Sequence, residues 1–178
     1  MKESLQRRRN LQTIGLTIGG MELDFSKLPR TWSCIAIDGD PGAGKTTLAK
    51  EMAEMLRAKV ISFDNYLPED LEDKRPYSEK LNYETLRRDI LQVGPKLIVE
   101  GVLALKILDK IGVQHDYLIF IKRFDGFLGW RFGEYLESNV KPPKDKFWQE
   151  IVQYYKERKP FDICNEELSR DICAPSEH

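Results

Sequence analysis

Gly39-Asp40-Pro41-Gly42-Ala43-Gly44-Lys45-Thr46-Thr47 fits the spacing G-x-x-x-x-G-K-[ST], the pattern of a loop that cradles phosphate. Gly39, Gly42 and Gly44 let the backbone turn tightly and aim several N–H groups at one anion. Lys45 brings a mobile positive charge to the outer phosphates. The Thr46 hydroxyl suits Mg²⁺, which favours oxygen ligands. A helix that starts here adds the positive end of its dipole. Both flanks agree with this reading. Upstream, Ser33-Cys34-Ile35-Ala36-Ile37 is an apolar run that reads as a buried strand. Downstream, Leu48, Ala49, Met52, Met55 and Leu56 recur at helical spacing. A chance glycine-rich turn would not need strand, loop and helix in that order.

The chain around this loop has 178 residues, 41% hydrophobic and 32% charged, which predicts one globular domain with a sizeable core. Its formal net charge of -1 gives no overall pull toward nucleic acid or anionic lipid. No apolar run has the length of a membrane span, and no signal-peptide apolar region follows the N-terminal charges. The expected location is the cytoplasm. Cys34, Cys164 and Cys173 have no metal-ligand spacing; Cys34 and Cys164 lie in apolar runs and read as reduced core thiols.

Residues 1–10 read as a solvated basic tail containing Arg7-Arg8-Arg9. Ile14, Leu16 and Ile18 alternate with Thr13, Gly15 and Thr17. After Gly19-Gly20, Met21, Leu23 and Phe25 alternate with Glu22 and Asp24. Two alternating runs around Gly-Gly predict a β-hairpin. This appendage, within residues 1–30, is expected to pack on the domain or on a second copy of the chain, as in a homo-oligomer. Residues 31–178 form the main domain.

From Trp32 the pattern is strand then helix, repeated. Strands are expected at Val60 to Phe63, Lys96 to Gly101, Tyr117 to Ile121 and Phe161 to Cys164. Helices are expected at Tyr83 to Gln92, Val102 to Ile111, Phe127 to Glu137 and Lys146 to Arg158, the last with Phe147, Ile151 and Tyr154 or Tyr155 inward. This alternation predicts a mainly parallel sheet with helices on both faces. Ligands of such sheets sit at the carboxyl ends of the strands. Three strands end there in an acid: Asp38, Asp64 and Glu100. Asp38 is open to a structural role, and the other two should converge on the phosphate-binding edge.

The residues now quoted resemble the uridine kinase family, within the P-loop nucleoside and phosphoribulokinase-like group. Beside the glycine loop, Ile61-Ser62-Phe63-Asp64-Asn65-Tyr66 is similar to its "I-S-x-D-x-F-Y" segment. Asn82-Tyr83-Glu84 resembles "N-Y-D", and Ile98 to Leu105 resembles "V-E-G-I-L-A-L". The resemblance covers roughly residues 33–165. It implies a P-loop fold with a five-stranded parallel sheet in the order 2-3-1-4-5. It also implies transfer of the γ-phosphate of ATP, with Mg²⁺, to a hydroxyl of a small molecule, most simply a nucleoside. By the same resemblance Asp64 would be the general base, reaching the metal through water. Thr46 and Glu100 would hold Mg²⁺. Glu84 would bind ribose hydroxyls, and Tyr66 and Tyr83 would wall the acceptor pocket. Arg131, with Arg123, would close over the transferring group.

The sequence also departs from that family. Leu67 replaces a tyrosine that helps hold the base, and Thr85 and Leu86 replace a histidine and a proline. The lid carries fewer arginines, with Lys141, Lys144 and Lys146 nearby. Two other readings therefore stay open: an ATP-binding module without phosphotransfer, or a small P-loop kinase for a different metabolite. The family implies a small-molecule partner, while the size and net charge argue against a nucleic-acid partner and the lack of a long apolar run against a membrane one.

Overall fold

The central strands are buried on both faces, and their successive side chains alternate between two core clusters, which sets the layers. The computed structural model describes residues 15–18, 21–69, 74–126, 129–137 and 140–172. The basic tail with Arg7 to Arg9, Thr13, Ile14, the Gly19-Gly20 turn, Phe127 and Cys173 lie outside the described residues.

The two N-terminal runs form the expected hairpin. Strands β1 (Gly15–Ile18) and β2 (Met21–Asp24) pair antiparallel, with Leu16 opposite Leu23. Met21 and Leu23 turn inward and, with the following Phe25, join a core cluster that contains Ile35, Leu48 and Ile119. Strand β2 thus buries its apolar side chains on the main domain.

Five more strands follow: β3 (Cys34–Gly39), β4 (Lys59–Ser62), β5 (Leu97–Glu100), β6 (Tyr117–Phe124) and β7 (Glu166–Asp171). They form one sheet in the order β4-β5-β3-β6-β7, and every neighbouring pair is parallel. Counted from the strand before the glycine loop, this is the expected order 2-3-1-4-5. The helices are α1 (Lys45–Leu56), α2 (Tyr77–Lys80), α3 (Tyr83–Gln92), α4 (Ala104–Ile111), α5 (Gly133–Glu137), α6 (Lys146–Arg158) and α7 (Pro160–Ile163).

Side chains two apart on a strand share a face. Cys34, Ala36, Val99, Leu118 and Phe120 pack with residues of α3, α4 and α6. Ile35, Ile37, Ile98, Ile119 and Ile121 pack with α1 and β2. Helix α3 starts at the Asn82 cap, whose side chain accepts from the Thr85 N–H. Helix α6 starts at the Asp145 cap and buries Ile151 and both Tyr154 and Tyr155.

Two expected elements differ. Phe161 to Cys164 is not a strand: Pro160 opens α7, where its fixed φ suits the first helical turn and its missing N–H costs nothing. Phe161 packs by its ring on Phe120 and Trp130, and Ile163 is exposed, so the apolar letters there do not mark a buried strand. The final strand lies further on, in polar Glu166–Asp171, where Glu166 and Leu168 point inward. An edge strand with one neighbour tolerates such a sequence. The helix expected over Phe127 to Glu137 begins only at Gly133, because Trp130 instead bridges back to Phe124.

Gly39 lies opposite Ile121 in the β3–β6 register, with φ +136°. A Cβ there would overlap the Ile121 backbone, whose carbonyl accepts from the Asp40 N–H at 3.0 Å. At Gly112, φ is +68° and a Cβ would meet open space. Gly39→Ala should therefore cost about 3 kcal/mol or prevent folding, and Gly112→Ala about 1 kcal/mol. Urea unfolding of both variants checks the difference; equal costs would rule out the close approach at Gly39.

Candidate active site

The glycine loop leaves the carboxyl end of β3 and enters α1 at Lys45. Gly42 and Gly44 take φ +72° and +90°, the left-handed conformations that turn the backbone around an anion. The Ala43 N–H closes the turn on the Asp40 carbonyl at 3.2 Å. A cleft of about 350 Å³ opens over this loop. Pro41, Gly42, Gly44, Lys45, Thr46 and Thr47 line it from the loop and the start of α1, together with Asp64, Glu100, Val102, Phe147 and Arg170. Gly39, Asp40 and Ala43, the other residues of the loop, do not line it, and Asp40 and Ala43 are buried.

Lys45 is buried and donates to the carbonyls of Gly39 (3.0 Å) and Asp40 (2.7 Å). Burial lowers its pKa from the usual lysine range, while the charges of Asp38, Glu100, Asp40 and Asp64 push it back up. The surrounding carboxylates thus support a cation in a site that would otherwise disfavour one.

Strands β4 and β5 run parallel with Ser62 beside Glu100, so Asp64 and Glu100 emerge at the same end of the sheet. Glu100 is buried and accepts from Thr46 Oγ1 at 3.0 Å. Asp64 sits in the turn Phe63–Tyr66, exposed to the cleft, and accepts from the Tyr77 hydroxyl at 2.6 Å. Burial, first, and the Asp64 charge raise the Tyr77 pKa, so the phenol remains a donor. The oxygens of Thr46, Glu100 and Asp64 on one cleft form a donor set that fits Mg²⁺.

Two further carboxylates flank Gly39 from beneath. Asp38 accepts from the Gly39 N–H (2.7 Å) and from the Tyr154 hydroxyl. Asp40 accepts from the Arg123 N–H (2.7 Å), Trp130 Nε1 (2.8 Å) and the Tyr155 hydroxyl (2.8 Å). Consecutive tyrosines of α6 therefore hold the two acids on either side of Gly39. Asp40 faces the interior behind the loop.

The expected cations divide. The Arg123 guanidinium lies against Gly42, and its Nε reaches Asp125 at 3.0 Å. Arg131 also bonds Asp125 at 3.0 Å and stacks over Trp148, 5.2 Å from the ring centroid, and it does not line the cleft. Tyr66, Tyr83 and Glu84 do not line it either. Tyr66 donates to Asp89 (3.1 Å), Tyr83 donates to the Ser78 carbonyl (2.5 Å), and Glu84 is exposed on α3. Sequence reasoning missed Tyr77, the roles of Tyr154, Tyr155 and Trp130, and Arg170. Tyr154-Tyr155 did carry a signal, since adjacent tyrosines on one inward stripe need two buried acceptors. Arg170 carried none, because β7 itself was not recognised.

Burial pushes the Asp38 carboxyl up to about 6, against the Tyr154 and Gly39 hydrogen bonds. A carboxyl that ionises at higher pH when folded stabilises the fold fully below about pH 4, its unfolded pKa, and loses that contribution as pH rises through about 6. Between pH 5 and pH 8 the protein should lose about 1 kcal/mol of stability relative to Asp38→Asn. Urea unfolding at both pH values reads this; parallel pH profiles would rule it out.

No family model matches the chain. The chain is similar to a shikimate kinase of Clostridium beijerinckii (strain ATCC 51743 / NCIMB 8052), 25% identical over 146 residues, covering 75% of this chain and 82% of that protein. Among solved structures it is similar to a possible uridine kinase from Bacillus stearothermophilus, at 15% identity and TM-score 0.52, covering 94% of this chain and 99% of that one. A shikimate kinase from Bacteroides thetaiotaomicron aligns at 19% identity and TM-score 0.42, covering 76% and 85%. Among the described residues no helix is long and apolar enough to cross a membrane. The sheet order, the glycine loop between β3 and α1 and the likeness to the possible uridine kinase give the chain the fold of the P-loop kinases.

Proposed function

We propose that this protein transfers the γ-phosphoryl group of ATP to a hydroxyl of a small molecule, a nucleoside or a compound of similar shape. The observation that carries this reading is the convergence of Lys45, Thr46, Glu100 and Asp64 on one cleft over the glycine loop. The loop amides of Gly42 to Thr46 hold the phosphates, and Lys45 turns from the Gly39 and Asp40 carbonyls toward them. Thr46 and Glu100 hold Mg²⁺, with Asp64 beyond them. Bound there, the ion neutralises charge on the phosphate oxygens.

Asp64 accepts the proton of the attacking hydroxyl. Its Oδ1 is fixed by Tyr77, which leaves Oδ2 for the acceptor. Tyr77 acts here as a positioning residue. Val102 and Phe147 give the acceptor an apolar wall, and Phe147 is braced by the Tyr77 ring at 5.6 Å. A flat, partly apolar acceptor suits that surface, and the likeness to the possible uridine kinase agrees with it. The similarity to a shikimate kinase supports the alternative of a small hydroxylated metabolite at the same place. Arg123, beside Gly42, and Arg131 close over the transferring group. Arg131 must first leave Asp125 and Trp148.

A second reading is a nucleotide-binding module without transfer. The commitment of Arg131 to Asp125 and Trp148 favours it.

Coupled ADP release with Mg-ATP and a panel of nucleosides, sugars and hydroxylated acids separates the two. The kinase reading expects acceptor-dependent release, lowered about 10²–10⁴-fold in Asp64→Asn with ATP affinity retained. Lys45→Ala should lower kcat/KM at least about a hundredfold. ATP binding with no acceptor able to raise the rate would leave the binding module. Full transfer in Asp64→Asn would remove the base assignment.

A further inference from the structure

Arg123 and Arg170 are register partners on the neighbouring parallel strands β6 and β7. Partners in register leave the same face of a sheet. That face carries Ile119, Ile121 and Leu168 against α1, and beyond them it reaches the glycine loop. There Arg123 Nη1 lies 2.6 Å from where a Gly42 Cβ would stand. Arg170 Nη1 fills the space into which a Gly44 Cβ would project. Arg170 is half-buried and lines the cleft with Lys45 and Thr46.

Two like charges side by side on adjacent strands repel, and both face the positive end of α1. Asp125 answers Arg123 at 3.0 Å. Arg170 forms no ion pair with a carboxylate among the described residues, although Lys122 on the same sheet pairs with Glu167 at 2.8 Å. The missing counter-charge is one that a polyphosphate in the cleft would supply.

We infer that Arg170, from the last strand of the sheet, is a nucleotide-phosphate ligand that acts beside Arg123 at the glycine loop. The inference rests on the proposed nucleotide site and adds to it. The phosphate-facing fork of this chain comes from β7, held in place by sheet register before any lid movement, while Arg131 is engaged elsewhere. A guanidinium fork can bond two phosphate oxygens at once, which a lysine ammonium cannot reproduce.

The test is calorimetric titration with Mg-ATP, Mg-ADP and adenosine. It uses the full chain, Arg170→Met, Arg170→Lys and, as a control on the exposed face of α3, Arg88→Met. Arg170→Met should weaken ATP and ADP binding about ten- to hundredfold and leave adenosine unchanged. Arg170→Lys should fall between, and Arg88→Met should match the unaltered protein. A second measurement needs no variant: an arginine-specific dicarbonyl reagent, mapped by mass spectrometry, should label Arg170 in the free protein and be blocked by Mg-ATP. ATP affinity within twofold of normal in folded Arg170→Met would overturn the inference. So would equal weakening of adenosine, which marks a structural role, or equal labelling with and without ATP. No nucleotide binding by the unaltered protein would overturn the phosphotransfer reading itself, and this inference with it. Intact binding that is indifferent to Arg170 overturns the inference alone.

Discussion

Asp38 and Asp40 are fully buried, one residue on either side of Gly39, and each is met by a tyrosine of α6. A buried carboxylate is tolerated only when its lone pairs are bonded. Here the cost of burial is offset by bonds that fix the root of the phosphate loop. Asp38 draws the Gly39 amide and Tyr154 together. Asp40 draws in the Arg123 amide from β6, Trp130 from the segment after it, and Tyr155 from α6. The strand that follows the loop in space, the segment expected to form the lid, and the helix beyond it thus share one acceptor cluster. Gly39 makes this possible: any side chain there would hold β6 away from the loop and separate Asp40 from its donors.

The cluster also bears on charge. Lys45 sits among Asp38, Asp40, Asp64 and Glu100, and its ammonium bonds the carbonyls at the root of the loop. Glu100 and Asp64 reach the cleft from the side of β5 and β4; on the side of β6 and β7, Arg170 lines it and Arg123 lies against Gly42. Acids therefore lie to one side of the glycine loop and arginines to the other. Such a separation suits a ligand whose anionic part lies over the loop and whose reacting end, with a divalent cation, lies toward the acids. Val102 and Phe147, the latter packed on Tyr77, add a non-ionic surface to the cleft beside Glu100 and Asp64.

Much of this was legible in the chain. The glycine loop, its strand and its helix are local features, fixed by residues that touch within a few positions of one another, and the structure has them where the spacing puts them. The order of the sheet was implied by the resemblance to the uridine kinase family, and the meeting of Asp64 with Glu100 followed because parallel strands must bring their carboxyl ends to one edge. Tyr66, Tyr83 and Glu84 were legible only as letters in a pattern. Their side chains turn to Asp89, to the Ser78 carbonyl and to solvent, directions that no spacing along the chain specifies.

By itself, then, the sequence determined the phosphate loop, the alternation that builds a parallel sheet, the N-terminal hairpin and the acids at the strand ends. Periodicity and turn chemistry act over short distances, and the apolar runs were long enough to express them. The tertiary structure decided what lies opposite. It placed the last strand in the polar stretch Glu166–Asp171 rather than the apolar Phe161 to Cys164, because an edge strand needs one inward Leu168 while Pro160 commits the residues before it to a helical turn. It paired the tyrosines of α6 with Asp38 and Asp40 across more than a hundred residues of chain. It set Arg170 beside Arg123 through backbone register. These are contacts between segments whose separation in sequence carries no period, so only the packed sheet brings them together.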